Sequence, residues 1–305
     1  MTNPVLAVLG WWSRRYVPRT QQRTGSNITT RPATVITGAS EGIGRAIARR
    51  FAEAGDTIVL VARREPLLQA VADEIRRDFK ADPVVLPVDI NLPDAAAQIE
   101  AALQTRGLHV DVLINNAGFG VSGEFATLPE ADIEALVSCN VAALTRLSRY
   151  FLPAMLERHR GGLINIASLA GLTPGPYQAP YYASKAYVIS LTRAIAYEVE
   201  GLGVRVMVVT PGPVETGFHA RMNAETSFYR YFVPSQSAEM VAAATYRGFK
   251  WHYSIIAPGL SAKITSVMLR FVPKYLVIAA TAWLLYPRLD EQAADSSKVG
   301  PKSGR

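Results

Sequence analysis

Cysteine is nearly absent: Cys139 is the single one in 305 residues. This excludes an internal disulfide and permits a reducing compartment. A lone cysteine of this kind is expected to be a small buried apolar residue rather than a reactive thiol. Histidine is scarce too, and His219 has no second histidine or cysteine at ligand spacing, so no metal site is expected. Only 19% of the residues are charged. The long apolar runs near the end fall well short of the ~20 residues that span a bilayer. Internal repeats are lacking, as is any basic stripe interleaved with aromatics, so the net charge of +7 does not mark a nucleic-acid partner. The basic residues are dispersed instead: Arg14, Arg15, Arg19, Arg23 and Arg31 in an amino-terminal arm, Arg63 and Arg64, Arg76 and Arg77, and Lys298, Lys302 and Arg305 at the end. Solvated helix faces account for most of them, and cofactor phosphates or an anionic membrane surface for the rest. The apolar arm Val5 to Trp12 has no basic region before it and no cleavage site, so a secretory signal is not expected and a cytoplasmic location is.

What is present is an alternation of apolar runs and amphipathic stretches. The runs at 33–37, 57–62, 84–88, 110–115, 162–167, 204–210 and 253–257 read as strands. Helical stretches fall between and after them, at about 43–54, 66–80, 94–105, 130–158, 181–201 and 237–250. This order predicts an α/β fold, a doubly wound parallel sheet of about seven strands with helices on both faces. Ligands of such sheets lie beyond the carboxyl ends of the strands. One catalytic domain, 32–258, is therefore expected, preceded by the arm 1–31, followed by an apolar helical extension 259–288, and closed by a disordered tail 289–305 rich in small and charged residues.

Two short patterns carry chemistry. Thr37-Gly38-Ala39-Ser40-Glu41-Gly42-Ile43-Gly44 stands between a strand-like and a helix-like segment. Glycines there allow a tight turn and close approach to a pyrophosphate, and the helix amino terminus supplies free N–H groups. Tyr181 and Lys185, four positions apart, share one helix face. An ammonium beside a phenol is expected to favour the phenolate and bring the tyrosine toward a useful range for proton transfer.

These patterns, with Asn115-Asn116-Ala117-Gly118 and Pro211-Gly212-Pro213-Val214-Glu215-Thr216 in the same order, resemble the short-chain dehydrogenase/reductase family, classical type, from about Ala33 to Pro258. The resemblance implies a tetrad of Asn140, Ser168, Tyr181 and Lys185, with thirteen positions from Ser168 to Tyr181. Tyr182 is off that register by one. The resemblance further implies hydride transfer between a nicotinamide cofactor and a carbonyl carbon. Tyr181 would be the acid or base, Ser168 the partner of the substrate oxygen, Lys185 the holder of the ribose, and Asn140 the holder of a relay water. Cofactor contacts are implied at Gly38, Ser40, Glu41, Gly42, Ile43, Gly44, Asp89, Ile90, Asn116, Ala117, Gly118, Tyr181, Lys185, Pro211, Gly212, Val214 and Thr216. Asp89 could equally cap a turn, and Asp111 reads as structural. A homo-oligomer is implied as well, because the family commonly pairs through its long helices.

Arg63 and Arg64 end the second strand where an acidic residue would favour NAD; arginines suit a 2′-phosphate. NADP(H) is thus the expected cofactor and NAD(H) the second choice, although Glu41 stands where a basic residue is common among NADP-preferring relatives. The resemblance implies substrate contacts at Ser168, Tyr181 and Phe218, the last within an aromatic segment that also holds Tyr229, Tyr231 and Phe232 and whose rings would equally suit core packing. A small-molecule ketone, aldehyde or alcohol, bulky and apolar, is the expected substrate. The alternative is a non-catalytic, NADP-sensing scaffold on the same fold. Leu260 to Arg270 and Tyr275 to Tyr286 are apolar stretches with basic flanks, open to three roles: peripheral contact with a membrane, a subunit interface, or a cover over the substrate cleft.

Overall fold

The computed structural model describes residues 30–215 and 235–286. Seven parallel strands form one sheet in the order β3-β2-β1-β4-β5-β6-β7. They are β1 (Arg31–Thr37), β2 (Ile58–Ala62), β3 (Val84–Pro87), β4 (Leu108–Asn115), β5 (Gly161–Ile166), β6 (Val204–Val209) and β7 (Ile255–Ile256). Helices α1 (Gly42–Glu53), α2 (Glu65–Phe79), α3 (Ala95–Gln104), α4 (Glu130–Val137), α5 (Leu144–Glu157), α6 (Ala179–Glu198) and α7 (Ala238–Lys250) connect them. The chain ends, within the described residues, in α8 (Leu260–Phe271) and α9 (Lys274–Leu285).

The strands are unbroken apolar runs because both sheet faces are covered. Along β2, Val59 and Val61 join one buried cluster with Val35, Leu113 and Phe151. Their neighbours Ile58 and Leu60 join the other, with Ile47, Phe51, Val241 and Phe249. The two-residue alternation of a strand thus divides one run of apolar side chains between two layers of helices. Cys139 is buried in the first layer, where desolvation pushes its thiol up, so it behaves as a small core residue.

Polar ties fasten the strand ends that face the ligand side. Asn115 donates to Ser148 Oγ at 3.0 Å and to Asn165 Oδ1 at 2.9 Å, and Asn165 donates to Thr192 Oγ1 at 2.9 Å. All four side chains are buried, so the chain links β4 and β5 to α5 and α6 without exposing a donor to apolar surroundings. The helical stretch expected at 130–158 is not uniform: Ser138–Ala143 between α4 and α5 is a π-helical turn. The edge strand expected at 253–257 is cut to two residues, Ile255 and Ile256. Asp111 is structural as expected, paired with Arg160 at 3.2 Å at the start of the sheet.

Candidate active site

The switch in strand order falls between β1 and β4, and the turns leaving these two strands are locked together. Thr37 Oγ1 accepts from the backbone N–H of Asn116 at 3.0 Å and of Ala117 at 3.1 Å. Asn116 Nδ2 in return donates to the carbonyls of Thr37 at 3.0 Å and Gly38 at 3.2 Å. The glycines are dictated by this closeness. Gly38 has φ +65°, and a Cβ on Gly44 would lie 2.2 Å from the Gly38 carbonyl oxygen. No side chain caps the amino terminus of α1, so its first N–H groups face the crevice with the partial positive charge of the helix end. A tight glycine cradle on an uncapped helix terminus fits a pyrophosphate.

A cavity of about 1140 Å³ runs from this cradle across the carboxyl ends of the strands. Of the expected cofactor residues, Gly38, Ser40, Glu41, Gly42 and Ile43 line it from the β1 turn, Arg63 and Arg64 from β2, and Asp89 and Ile90 from β3. Asn116, Ala117 and Gly118 line it from β4, and Pro211, Gly212 and Val214 from β6. Gly44 lies behind the cradle as a packing position, and Thr216 and Phe218 fall outside the described residues. Asp89 Oδ1 accepts from the backbone N–H of Asn91 at 3.0 Å, so its turn-capping use is real while it still borders the cavity.

The two arginines divide. Arg64 forms an ion pair with Glu41 across the mouth of the crevice, whereas Arg63 makes no ion pair among the described residues and lines the cavity. Glu41 therefore neutralises one basic group and leaves the other available to an anion.

Ser168, Tyr181 and Lys185 converge at the other end. Ser168 follows β5 and caps a short 3₁₀ turn, Leu169–Leu172, by accepting from Ala170 N–H at 3.1 Å. Its hydroxyl is also hydrogen-bonded to the Tyr181 phenol, so the capping and site roles coexist. Lys185 Nζ donates to the Ile166 carbonyl at 3.1 Å and stands 5.8 Å from the centre of the Tyr181 ring. The expected acidification of the tyrosine is not what burial produces. Desolvation pushes the Tyr181 phenol up to about 12, against a smaller lowering by Ser168. Desolvation likewise pulls Lys185 down to about 8. Both groups are buried, and the cost of removing charge from water outweighs what opposes it, Ser168 for the tyrosine and Cys139 for the lysine.

Asn140 occupies the π-helical turn, not a regular helix as expected. Its Oδ1 accepts from Phe119 N–H at 3.1 Å, and its Nδ2 donates to the Phe119 carbonyl at 2.8 Å and to Ser184 Oγ at 3.1 Å. The amide thus clamps the backbone just past Gly118, within reach of the Lys185 side of the site.

One lining residue escaped the sequence reading, and a second group had a lining role only as one of three expectations. Gln178, only 4% exposed, lines the cavity three positions before Tyr181, and its side chain has no hydrogen-bond partner among the described residues. The spacing from Tyr181, one helical turn, was the available signal. The second group is the terminal pair of helices. Thr265 and Leu269 of α8 and Val277, Thr281 and Leu284 of α9 wall the cavity, and Tyr286 meets Tyr177 edge-on at 5.3 Å. Of the three roles open to this extension, the structure shows the cover over the cleft.

This fold and constellation define a crevice with a pyrophosphate-type cradle beside a Ser–Tyr–Lys cluster, and comparison with known proteins gives the class. Residues 32–227 match the family model described as short chain dehydrogenase, and the chain belongs to that family. It is 40% identical over 185 residues to a short chain dehydrogenase of Pseudocercospora fijiensis, covering 60% of this chain and 59% of that protein. It is 34% identical over 186 residues to the very-long-chain 3-oxoacyl-CoA reductase of Bos taurus, covering 60% of this chain and 59% of that one. The chain therefore spans about three fifths of the length of these relatives. A short-chain dehydrogenase from Sphingobium yanoikuyae in complex with NADPH superposes with a TM-score of 0.71 at 27% identity, covering 90% of this chain and 98% of that one.

Proposed function

We propose that this chain is an NADP(H)-dependent oxidoreductase that interconverts a bulky, apolar ketone or aldehyde and its alcohol. The observation that carries the reading is the buried Tyr181 phenol, hydrogen-bonded to Ser168 with Lys185 beside it, inside the same cavity as the glycine cradle. A binding module has no need of that trio. When bound, the dinucleotide supplies or accepts the hydride. The chain's own residues do the rest. Ser168 holds the substrate oxygen by hydrogen bonding as charge develops on it, and Tyr181 transfers the proton to or from that oxygen. Lys185 supplies positive charge beneath the ring, and Asn140 fixes the Phe119 backbone that borders the site.

Three observations support the finer terms. Arg63, without an ion pair among the described residues, favours a cofactor with a 2′-phosphate. The apolar side chains of α8 and α9 favour an apolar substrate, in keeping with the name of the bovine relative. Gln178 offers an amide at the cavity wall to a second polar group of that substrate.

The test is fluorescence quenching of NADPH followed by a panel of bulky ketones and aldehydes, with Tyr181→Phe as control. Turnover by the natural chain and a loss of at least ~100-fold in Tyr181→Phe are expected. Quenching without turnover of any panel member would favour an NADP-sensing scaffold.

A further inference from the structure

The helices that wall the cavity carry a second apolar surface that the oxidoreductase reading does not use. Along α8, Ala262, Thr265, Leu269 and Val272 point to the fold and the cavity. Leu260, Ile264, Val267, Met268 and Phe271 recur at i, i+4, i+7, i+8 and i+11 on the opposite side and are exposed, Leu260 by 73% and Phe271 by 81%. An amphipathic surface helix shows one apolar stripe, with polar residues on the opposite face. Here there are two. In α9 the positions turned away from the cavity are also apolar or aromatic, Tyr275, Ala279 and Trp283, with Tyr275 71% exposed. The two helices together therefore turn eight apolar or aromatic side chains away from the cavity.

Its charge is equally one-sided. From Trp251 to Leu289 the chain holds no Asp or Glu, while Lys263, Arg270, Lys274 and Arg288 are basic. Lys263 and Lys274 are exposed, Lys263 beside the outer stripe of α8 and Lys274 at the junction of the two helices. We infer that this face docks on an anionic lipid surface, with α8 and α9 lying in the plane of the headgroups. Apolar residues flanked by lysines, with tyrosine and tryptophan at the rim, are the composition that binds such an interface. Neither helix crosses the bilayer. Each has 12 residues, Pro273 separates them, and among the described residues no helix is long and apolar enough to span a membrane. A second copy of the chain is the poorer occupant, because an isologous contact would press lysine against lysine with no acid in the segment to relieve it. The same two helices then face lipid on one side and the cavity on the other. An apolar ketone dissolved in the bilayer has a route to the site without crossing water; this last step alone rests on the oxidoreductase reading.

The test uses the full chain with vesicles of phosphatidylcholine alone or mixed with phosphatidylglycerol. Flotation with the mixed vesicles is expected, weaker in high salt and weakened at least ~20-fold by Lys263→Glu with Lys274→Glu, since each basic residue near an anionic surface contributes roughly fivefold. Ile264→Ser with Phe271→Ser should also abolish flotation. NADPH quenching, read on every variant, should be unchanged, which shows that each is folded and separates this result from any failure of turnover. If the serine pair does not fold, the exposed glutamate pair decides alone. Absence of flotation with mixed vesicles, equal flotation with both kinds, or flotation indifferent to both pairs of substitutions would overturn the inference. So would a dimer in sedimentation that the serine pair dissolves, which would assign the face to a second copy.

Discussion

Lys185 stands with its ammonium 5.8 Å from the centre of the Tyr181 ring, yet the ammonium hydrogen-bonds to the Ile166 carbonyl, 3.1 Å away. The lysine is thus positioned by β5 and only then by its neighbour on the helix. Because burial brings it down to about 8, its charge is lost within an accessible range, while the tyrosine, pushed up to about 12, stays protonated.

The first expectation concerns pH. The kcat/KM for carbonyl reduction should be flat from mildly acidic pH to about 7 and fall as Lys185 loses its proton near 8. A profile with no break between about 7 and 9 would show that the ammonium is not needed. Stability should move oppositely. A lysine lowered on folding binds fewer protons in the folded chain than in the unfolded one, so stability rises with pH from about 8 toward the ordinary value of 10.5. Lys185→Met should flatten that rise, which is on the order of 3 kcal/mol at most. Denaturant midpoints measured across this range would check it.

Arg63 and Arg64 should differ in kind. Arg63→Ala should raise the KM for NADPH by tenfold or more and leave NADH nearly untouched. Arg64→Ala should have a smaller effect, because its guanidinium is already engaged by Glu41. Parallel titrations with both cofactors decide this; equal effects of Arg63→Ala on the two would refute the phosphate assignment.

Gly44→Ala should harm both fold and binding. Its Cβ would meet the Gly38 carbonyl at 2.2 Å and Asn116 Nδ2 at 2.5 Å, neither of which can yield without opening the lock between the β1 and β4 turns. A loss of about 1–3 kcal/mol, as for overpacked sites, is expected in denaturant unfolding, together with loss of NADPH quenching. A variant that keeps both would mean that α1 can shift away from β1.

Asn140→Ala should cost stability as well as rate. It deletes three hydrogen bonds and leaves the part-buried Phe119 N–H and carbonyl without their partner, at about 1 kcal/mol for each. Asn140→Asp, which keeps the acceptor for Phe119 N–H but removes the donor to its carbonyl, should recover only part. Thermal unfolding beside kcat for the two variants would show whether they follow that order.

Strands and glycine turn were legible because their signals are local. An unbroken run such as Ile58 to Val61 can bury both faces only inside a covered parallel sheet, and Gly38 and Gly44 flank a strand-to-helix change. The register of Tyr181 and Lys185 was legible for the same reason. The acidity of the tyrosine was not, because desolvation depends on what closes over it and no local pattern records that. Nor was the π-helical turn at Asn140, where one wider turn leaves the apolar spacing of the surrounding helix almost unchanged. The terminal helices carry apolar residues on two opposite sides, so their pattern alone was compatible with every role considered. Only tertiary packing showed that one side faces the cavity.

Among the described residues, part of the wall of the cavity comes from the last elements, whereas the glycine cradle comes from the first. During synthesis the sheet and its phosphate cradle can assemble while α8 and α9 have yet to emerge. A nascent molecule would therefore complete its phosphate cradle before the apolar side of its cavity exists.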